Sequence, residues 1–149
     1  MTNVENKDEV QIRELIAGQE AAMRARDAEW LVSRYAPGAV TFDLAPPLRH
    51  TGAEIHDAEG LAKWFAGFEV EIHFDVTDLE ITTGDELAYC HSLNRLGATP
   101  QGAPGGFELW FRSTLCFRKV DGAWMVAHEH TSTPFYMDGS FKAAIDLRP

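Results

Sequence analysis

The last forty residues constrain the fold most tightly. Residues 108–119 read as one long strand, Val120-Asp121-Gly122 turns the chain back, and residues 124–132 form a second strand ending His128-Glu129-His130-Thr131-Ser132. Side chains alternate across a strand, so His128, His130 and Ser132 share a face. On the first strand Phe107, Leu109, Phe111, Leu115 and Phe117 point one way, and Trp110, Arg112, Thr114 and Cys116 the other. An antiparallel sheet normally leaves one face in water, yet neither face here is cleanly polar. Helices can cover only one face. The other is therefore expected to be covered by a second copy of the chain, which predicts a homodimer through the sheet face.

The upstream sequence supplies the helices. Ile12, Leu15, Ile16, Gln19 and Met23 line one side of a helix over residues 7–26. Asp27 caps a short second helix through Tyr35 that carries Trp30 and Leu31, and Pro37-Gly38 ends it. Residues 39–44 make a short strand stopped by Pro46-Pro47. Leu61, Trp64, Phe65 and Phe68 follow helical spacing within a third helix over residues 57–68. Ile72, Phe74 and Val76 then alternate, and the phase shifts to Leu79 and Ile81, which predicts a bulge near Thr77-Asp78. Gly84-Asp85 turns into a strand carrying Leu87, Tyr89, His91 and Leu93. Residues 97–106, with two prolines and four glycines, make a long hairpin loop. The order predicts an α+β fold, one domain over residues 1–149, with three helices on one face of a curved antiparallel sheet.

Composition removes several classes of function. At 149 residues and 45% apolar the chain can build a substantial core. Its net charge of −10 repels nucleic acid and anionic membrane surfaces, so neither is expected as a partner. The polar start MTNVENKDEV does not read as a signal peptide, and no apolar run is long enough to cross a bilayer; a cytoplasmic protein is expected. Cys90 and Cys116 each fall in a strand and read as buried, reduced thiols ahead of a disulfide or a nucleophile. A CxxC pair, a Gly-rich phosphate loop, a GxSxG elbow and an HExxH helix are all missing.

Three stretches carry a family resemblance: Arg26-Asp27 leading to Tyr35-Ala36 and Val40-Thr41-Phe42-Asp43; the aromatic helix around Trp64; and Trp110-x-Arg112-x-Thr114 with Asp121-Gly122-x-Trp124 and His128-x-His130-x-Ser132. With them the chain resembles the nuclear transport factor 2-like superfamily, in its SnoaL-like and ketosteroid isomerase-like branch. The resemblance implies a cone-shaped fold, in which helices close over a curved sheet and leave a pocket, and commonly a dimer. Members include isomerases, dehydratases, polyketide cyclases, epoxide hydrolases and non-catalytic binding or assembly domains. Asp43 falls where ketosteroid isomerases carry their general-base aspartate. Their oxyanion-hole tyrosine would fall near Gln19, and their protonated aspartate near Ser113 or Thr114, so both donors are missing here. One lost donor of that kind costs about 3–4 kcal/mol, which argues against steroid isomerisation by that constellation.

The candidate residues each keep a structural alternative. Asp43, between Phe42 and Leu44, is a general base whose apolar neighbours disfavour its charge, or a turn aspartate before the prolines. His128 and His130 are hydrogen-bonded sheet residues, pocket acids and bases, or, with Asp43, an imitation of a two-histidine, one-carboxylate metal site. Spacing of two along a strand is a loose metal signal, so neither metal nor any other cofactor is expected. Arg112 pairs with Glu108, Glu129 or another acid, or faces the cavity and steadies an anionic oxygen. Gln19, Trp64, Tyr89, His91, Trp110, Thr114 and Ser132 are the expected substrate-pocket lining, with the aromatic residues core residues first. A single bulge in the last hairpin would exchange the faces, turning Glu129 and Thr131 inward and His128 and His130 outward. The expected function is a cofactor-free acid/base enzyme of the isomerase, dehydratase or cyclase type acting on a small apolar organic molecule. The alternative is a non-catalytic ligand-binding or assembly domain.

Overall fold

A computed structural model of the protein describes residues 6–149, so the first five residues of the polar start lie outside the described residues. Asn6 caps α1 (Lys7–Ala25), its side-chain oxygen accepting from the Asp8 and Glu9 amides. Arg26 ends the helix in a left-handed conformation, φ 59°. Its guanidinium donates to the carbonyls of Phe65, Phe68 and Glu69 at the end of α3 (Ala58–Ala66). Carbonyls at a helix end have no partner within the helix, so this one side chain both caps α3 and ties it to α1. α2 (Ala28–Ser33) starts on Asp27, which accepts from the Trp30 amide. An added Cβ on Gly18 would lie 2.6 Å from the Trp30 ring, so the approach of α2 to α1 requires glycine there.

The strands are β1 (Tyr35–Phe42), β2 (His50–Thr51), β3 (His73–Thr83), β4 (Leu87–Ala98), β5 (Phe107–Val120) and β6 (Ala123–Ser132). They form one curved, unclosed sheet in the order β2-β1-β6-β5-β4-β3. Two boundaries differ from expectation. The second helix stops at Ser33 rather than running through Tyr35, and the first strand begins at Tyr35, because Tyr35 pairs with Val126 and the Val126 amide donates to the Arg34 carbonyl. Ladder formation outweighs local helical preference, and Pro37-Gly38 is absorbed by a register shift between Tyr35 and Val40. β1 also pairs parallel with β6, the exception in an otherwise antiparallel sheet. The two-residue β2 has too few residues to show a period, which is why sequence pattern missed it.

The expected bulge in β3 is present. Register shifts between Thr77 and Glu80, and Asp78 takes φ 52°. A second bulge lies in β6: Cys116 faces His128 but Phe117 faces Val126, so Ala127 is the extra residue.

The inner face of the sheet carries two apolar clusters. One gathers Ile12 and Ile16 of α1 with Ala88, Cys90, Leu115, Phe117, Trp124 and Val126; the other gathers Ala22, Leu31 and Phe65 with Phe74, Leu96, Ala98 and Phe111. A polar layer separates them. Gln19 lies between Ile16 and Ala22 on α1, Ser92 and Asn94 between Cys90 and Leu96 on β4, and Ser113 between Phe111 and Leu115 on β5; all four are buried. Among the described residues no helix is long and apolar enough to cross a membrane.

Candidate functional site

The bulge at Ala127 decides which residues reach the interior. Before it, Trp124 and Val126 point toward the helices; after it, Glu129 and Thr131 do, in register with Leu115 and Ser113 on the inner face of β5. His128, His130 and Ser132 share a face as expected, but it is the outer one, opposite Cys116, Thr114 and Arg112. Without the extra residue both imidazoles would have pointed inward.

The expected gathering of Asp43, Arg112, His128 and His130 in one hollow therefore does not form as a whole. Arg112 is exposed and lines a shallow outer depression of about 360 Å³ together with His91, Thr114 and Glu80. Its anticipated acids are engaged elsewhere: Glu108 with Arg95, Arg148 and Trp110, and Glu129 on the opposite face. His128 donates from Nδ1 to the Val40 carbonyl at 2.7 Å, because a carbonyl can only accept, and packs edge-on against Phe42. His91 lies 3.4 Å from Glu80. Tyr89 is 47% exposed on the outer face, Trp110 is bonded to Glu108, and Trp64 sits half out of α3 against Phe65 and Phe68. Gln19 does face inward, into the polar layer.

What the structure does bring together lies at the end of the sheet where β1 and β6 both finish. There the loop over residues 43–49 and the C-terminal tail flank an open groove of about 1210 Å³. Its walls are mostly apolar, with Phe42, Leu44, Leu48, Leu109 and Ile145 among them, and Asp43, His130 and Ser132 share it. Asp43 also lines a second hollow of about 240 Å³ with Tyr35, Thr41, His50, Glu54 and Leu61. The carboxylate thus stands at the junction of a large apolar groove and a small polar hollow. Its side chain is 41% exposed rather than enclosed by apolar neighbours. Thr41 donates to Oδ2 at 3.4 Å, and His50 Nε2 lies 3.4 Å from the same oxygen. The other nitrogen of the His50 ring, Nδ1, meets Glu54 Oε2 at 2.7 Å.

Behind this junction lies the inner polar layer. Ser92, Ser113 and Thr131 form one cross-strand row, and the next row pairs Thr41 with Glu129. The Tyr35 hydroxyl donates to Glu129 Oε1 at 2.6 Å, and Ser92 donates to Asn94 at 2.7 Å. Burial, and then the Glu129 carboxylate, push the Tyr35 phenol well above its ordinary range, so Tyr35 is a neutral donor. Among the described residues no group of three or more His, Cys, Asp or Glu is arranged to hold a metal ion. The two carboxylates around His50 sit on opposite ring nitrogens, which suits hydrogen bonding rather than shared coordination.

Sequence reasoning named Tyr35 as a helix end and, with Thr41, as a carrier of a resemblance, and Glu129 as a partner for Arg112 or as the outcome of a shifted phase. His50, Glu54, Ser92 and Asn94 were not found. Alternation inward from Cys90 would have exposed Ser92 and Asn94; nothing local signals His50, whose position comes from its pairing with Thr41.

Comparison with known proteins agrees with this architecture. The SnoaL-like domain family matches residues 12–136. An NTF2-like protein of unknown function from Pseudomonas putida KT2440 is 30% identical, with a TM-score of 0.82 over 95% of this chain and 96% of that one. A protein provisionally named scytalone dehydratase from Novosphingobium aromaticivorans DSM 12444 is 16% identical, with a TM-score of 0.75 over 92% and 91% of the two chains. A ketosteroid isomerase-like protein from Erwinia carotovora atroseptica SCRI1043 is also 16% identical, with a TM-score of 0.69 over 86% and 97%. At that identity the last two show the fold alone. No curated protein matches the chain. The chain belongs to the SnoaL-like domain family, within the NTF2-like superfamily.

Proposed function

From membership of that family, we propose that the protein is a cofactor-free acid/base catalyst of the isomerase, dehydratase or cyclase type, acting on a small, largely apolar organic molecule. The observation that carries this reading is Asp43, a carboxylate set into the wall of an apolar groove with one oxygen held from behind by Thr41. Asp43 Oδ1 is the base that takes a proton from the substrate. His130, on the same groove, is the group that hydrogen-bonds the oxygen where negative charge develops. Arg112 has no part in this version of the site, because it faces away from the groove.

A probe tests the base without knowledge of the substrate. The compound 5-nitrobenzisoxazole opens when a base removes the one C–H proton of its isoxazole ring: the C–H electrons complete a nitrile, the N–O bond breaks, and the ring oxygen becomes a coloured phenolate. The wild-type protein should open it faster than an equal concentration of acetate, and Asp43→Asn should lower kcat about a hundredfold or more. Equal turnover by the two proteins would remove Asp43 from the chemistry.

Exposure of Asp43 gives the non-catalytic alternative its support, since a base in water gains little from its surroundings. That alternative predicts thermal stabilisation by an apolar ligand with no product formed, equally in Asp43→Asn.

The outer sheet face supports self-association, with Phe42, Leu87 and Tyr89 all exposed on its strands. We place a second copy there, in a cytoplasmic setting suited to the free thiols of Cys90 and Cys116. Tyr89→Glu should convert a dimer to a monomer in analytical ultracentrifugation.

A further inference from the structure

We propose that His50, anchored by Glu54, is a positioning residue that holds the Asp43 carboxylate in its working orientation; the proposal rests on the assignment of Asp43 as the base. The backbone brings these residues together. β2 pairs antiparallel with β1, setting His50 opposite Thr41 and Thr51 opposite Val40. The ring therefore lies beside the strand end from which Asp43 projects, although His50 comes seven positions later in the chain.

Each end of the imidazole meets an acid. Nδ1 is 2.7 Å from Glu54 Oε2, a full hydrogen bond. Nε2 is 3.4 Å from Asp43 Oδ2, a longer contact of the kind that tightens when a site is occupied. Thr41 approaches that same Oδ2 at 3.4 Å. Both contacts fall on one oxygen, so rotation of the carboxylate is restrained while Oδ1 stays free to take a proton. A neutral ring can donate to only one of the two acids; the doubly protonated ring can donate to both.

The geometry also separates positioning from catalysis. Asp43 lines both the apolar groove and the small polar hollow, whereas His50 and Glu54 line the hollow alone. A substrate in the groove meets Asp43 without touching His50. The histidine acts through the carboxylate, and its loss should alter turnover rather than binding.

Two measurements test this. Opening of 5-nitrobenzisoxazole should fall about tenfold in kcat for His50→Ala with KM within about twofold, and His50→Gln, which keeps a donor, should recover most of that loss. Glu54→Gln should fall by about threefold, since the anchor loses its charge but keeps an acceptor. A purely structural His50 would instead lower the melting temperature of His50→Ala, and kcat would be unchanged per folded molecule; that outcome overturns the proposal, as does a kcat loss that His50→Gln does not recover.

Ring-nitrogen NMR of the ¹⁵N-labelled protein reads the contact without any turnover. Asp43→Asn should move the His50 Nε2 resonance, and Glu54→Gln the Nδ1 resonance. An Nε2 resonance indifferent to Asp43→Asn shows the contact to be absent and overturns the proposal even where Asp43 is the base. Failure of the base assignment itself is read separately, as wild-type turnover by Asp43→Asn.

Discussion

The two faces of β4, β5 and β6 use the same backbone for opposite ends. On the inner face Cys90, Leu115 and Phe117 are almost wholly buried, and the polar residues among them are bonded or confined to one layer. On the outer face, one residue along, Tyr89, Thr114 and Cys116 meet solvent to varying degrees. Residue type alone does not separate the faces, since each holds aromatic, hydroxyl, sulfur and charged groups. Covering helices separate them. Asp43 belongs fully to neither face, because it projects where β1 ends and the sheet no longer divides inside from outside.

The sharpest break of this comparison is at that strand end. Asp43→Asn should cost about a hundredfold or more in turnover of the benzisoxazole probe, while His128→Ala, on the outer face and bonded to the Val40 carbonyl, should leave kcat within about twofold. Comparable losses from both would mean that the outer face holds the reaction centre.

Stability separates the faces next. Leu115→Ala should cost about 2–5 kcal/mol in urea unfolding, and its outward neighbour Thr114→Ala no more than about 0.5 kcal/mol. Within the polar layer, Tyr35→Phe leaves the buried Glu129 carboxylate without its donor and should cost about 1–3 kcal/mol. A neutral result would show that Glu129 finds another partner.

The cysteines offer a finer comparison. Burial pushes the Cys90 thiol up to about 12, from 9.0. In the native protein Cys116 should react with a disulfide reagent while Cys90 waits for unfolding; labelling of Cys116 that slows as protein concentration rises would place a second copy over the outer face. The same shift sets a pH dependence. Its folded value is raised, so its contribution is complete below about pH 9 and is lost as pH rises towards about 12, because the unfolded chain releases the proton first. Cys90→Ala should flatten that alkaline loss in urea midpoints.

At the acid end the sign reverses and the effect is smallest. Hydrogen bonding to Arg95 holds the Asp75 carboxyl below its ordinary range. Its contribution is present above about pH 4 and is lost as pH falls through the lowered native value. Asp75→Asn should therefore lower stability slightly at neutral pH and remove part of the acid sensitivity.

Much of the architecture was legible because it rests on local rules. Helical spacing of Ile12, Ile16 and Gln19 marks the inner side of α1, Asp27 caps α2, Leu61 and Phe65 mark α3, and the broken alternation at Thr77-Asp78 marks a bulge that register and dihedral confirm. The last hairpin shows where such reading stops. Its alternation put His128, His130 and Ser132 on one shared face, but which face that is turned on Ala127, a small residue with no sequence mark of a bulge.

Spacing and capping are written into neighbouring residues, so chain order settled that helices precede a long-stranded sheet, and that Asp43 lies near the end of its first strand. Folding alone decided that Glu129 enters the interior, that β1 runs parallel to β6, and that His50 stands between Asp43 and Glu54. Those outcomes depend on pairing between segments far apart in the chain. There one inserted residue costs little locally, yet it reverses every side chain that follows.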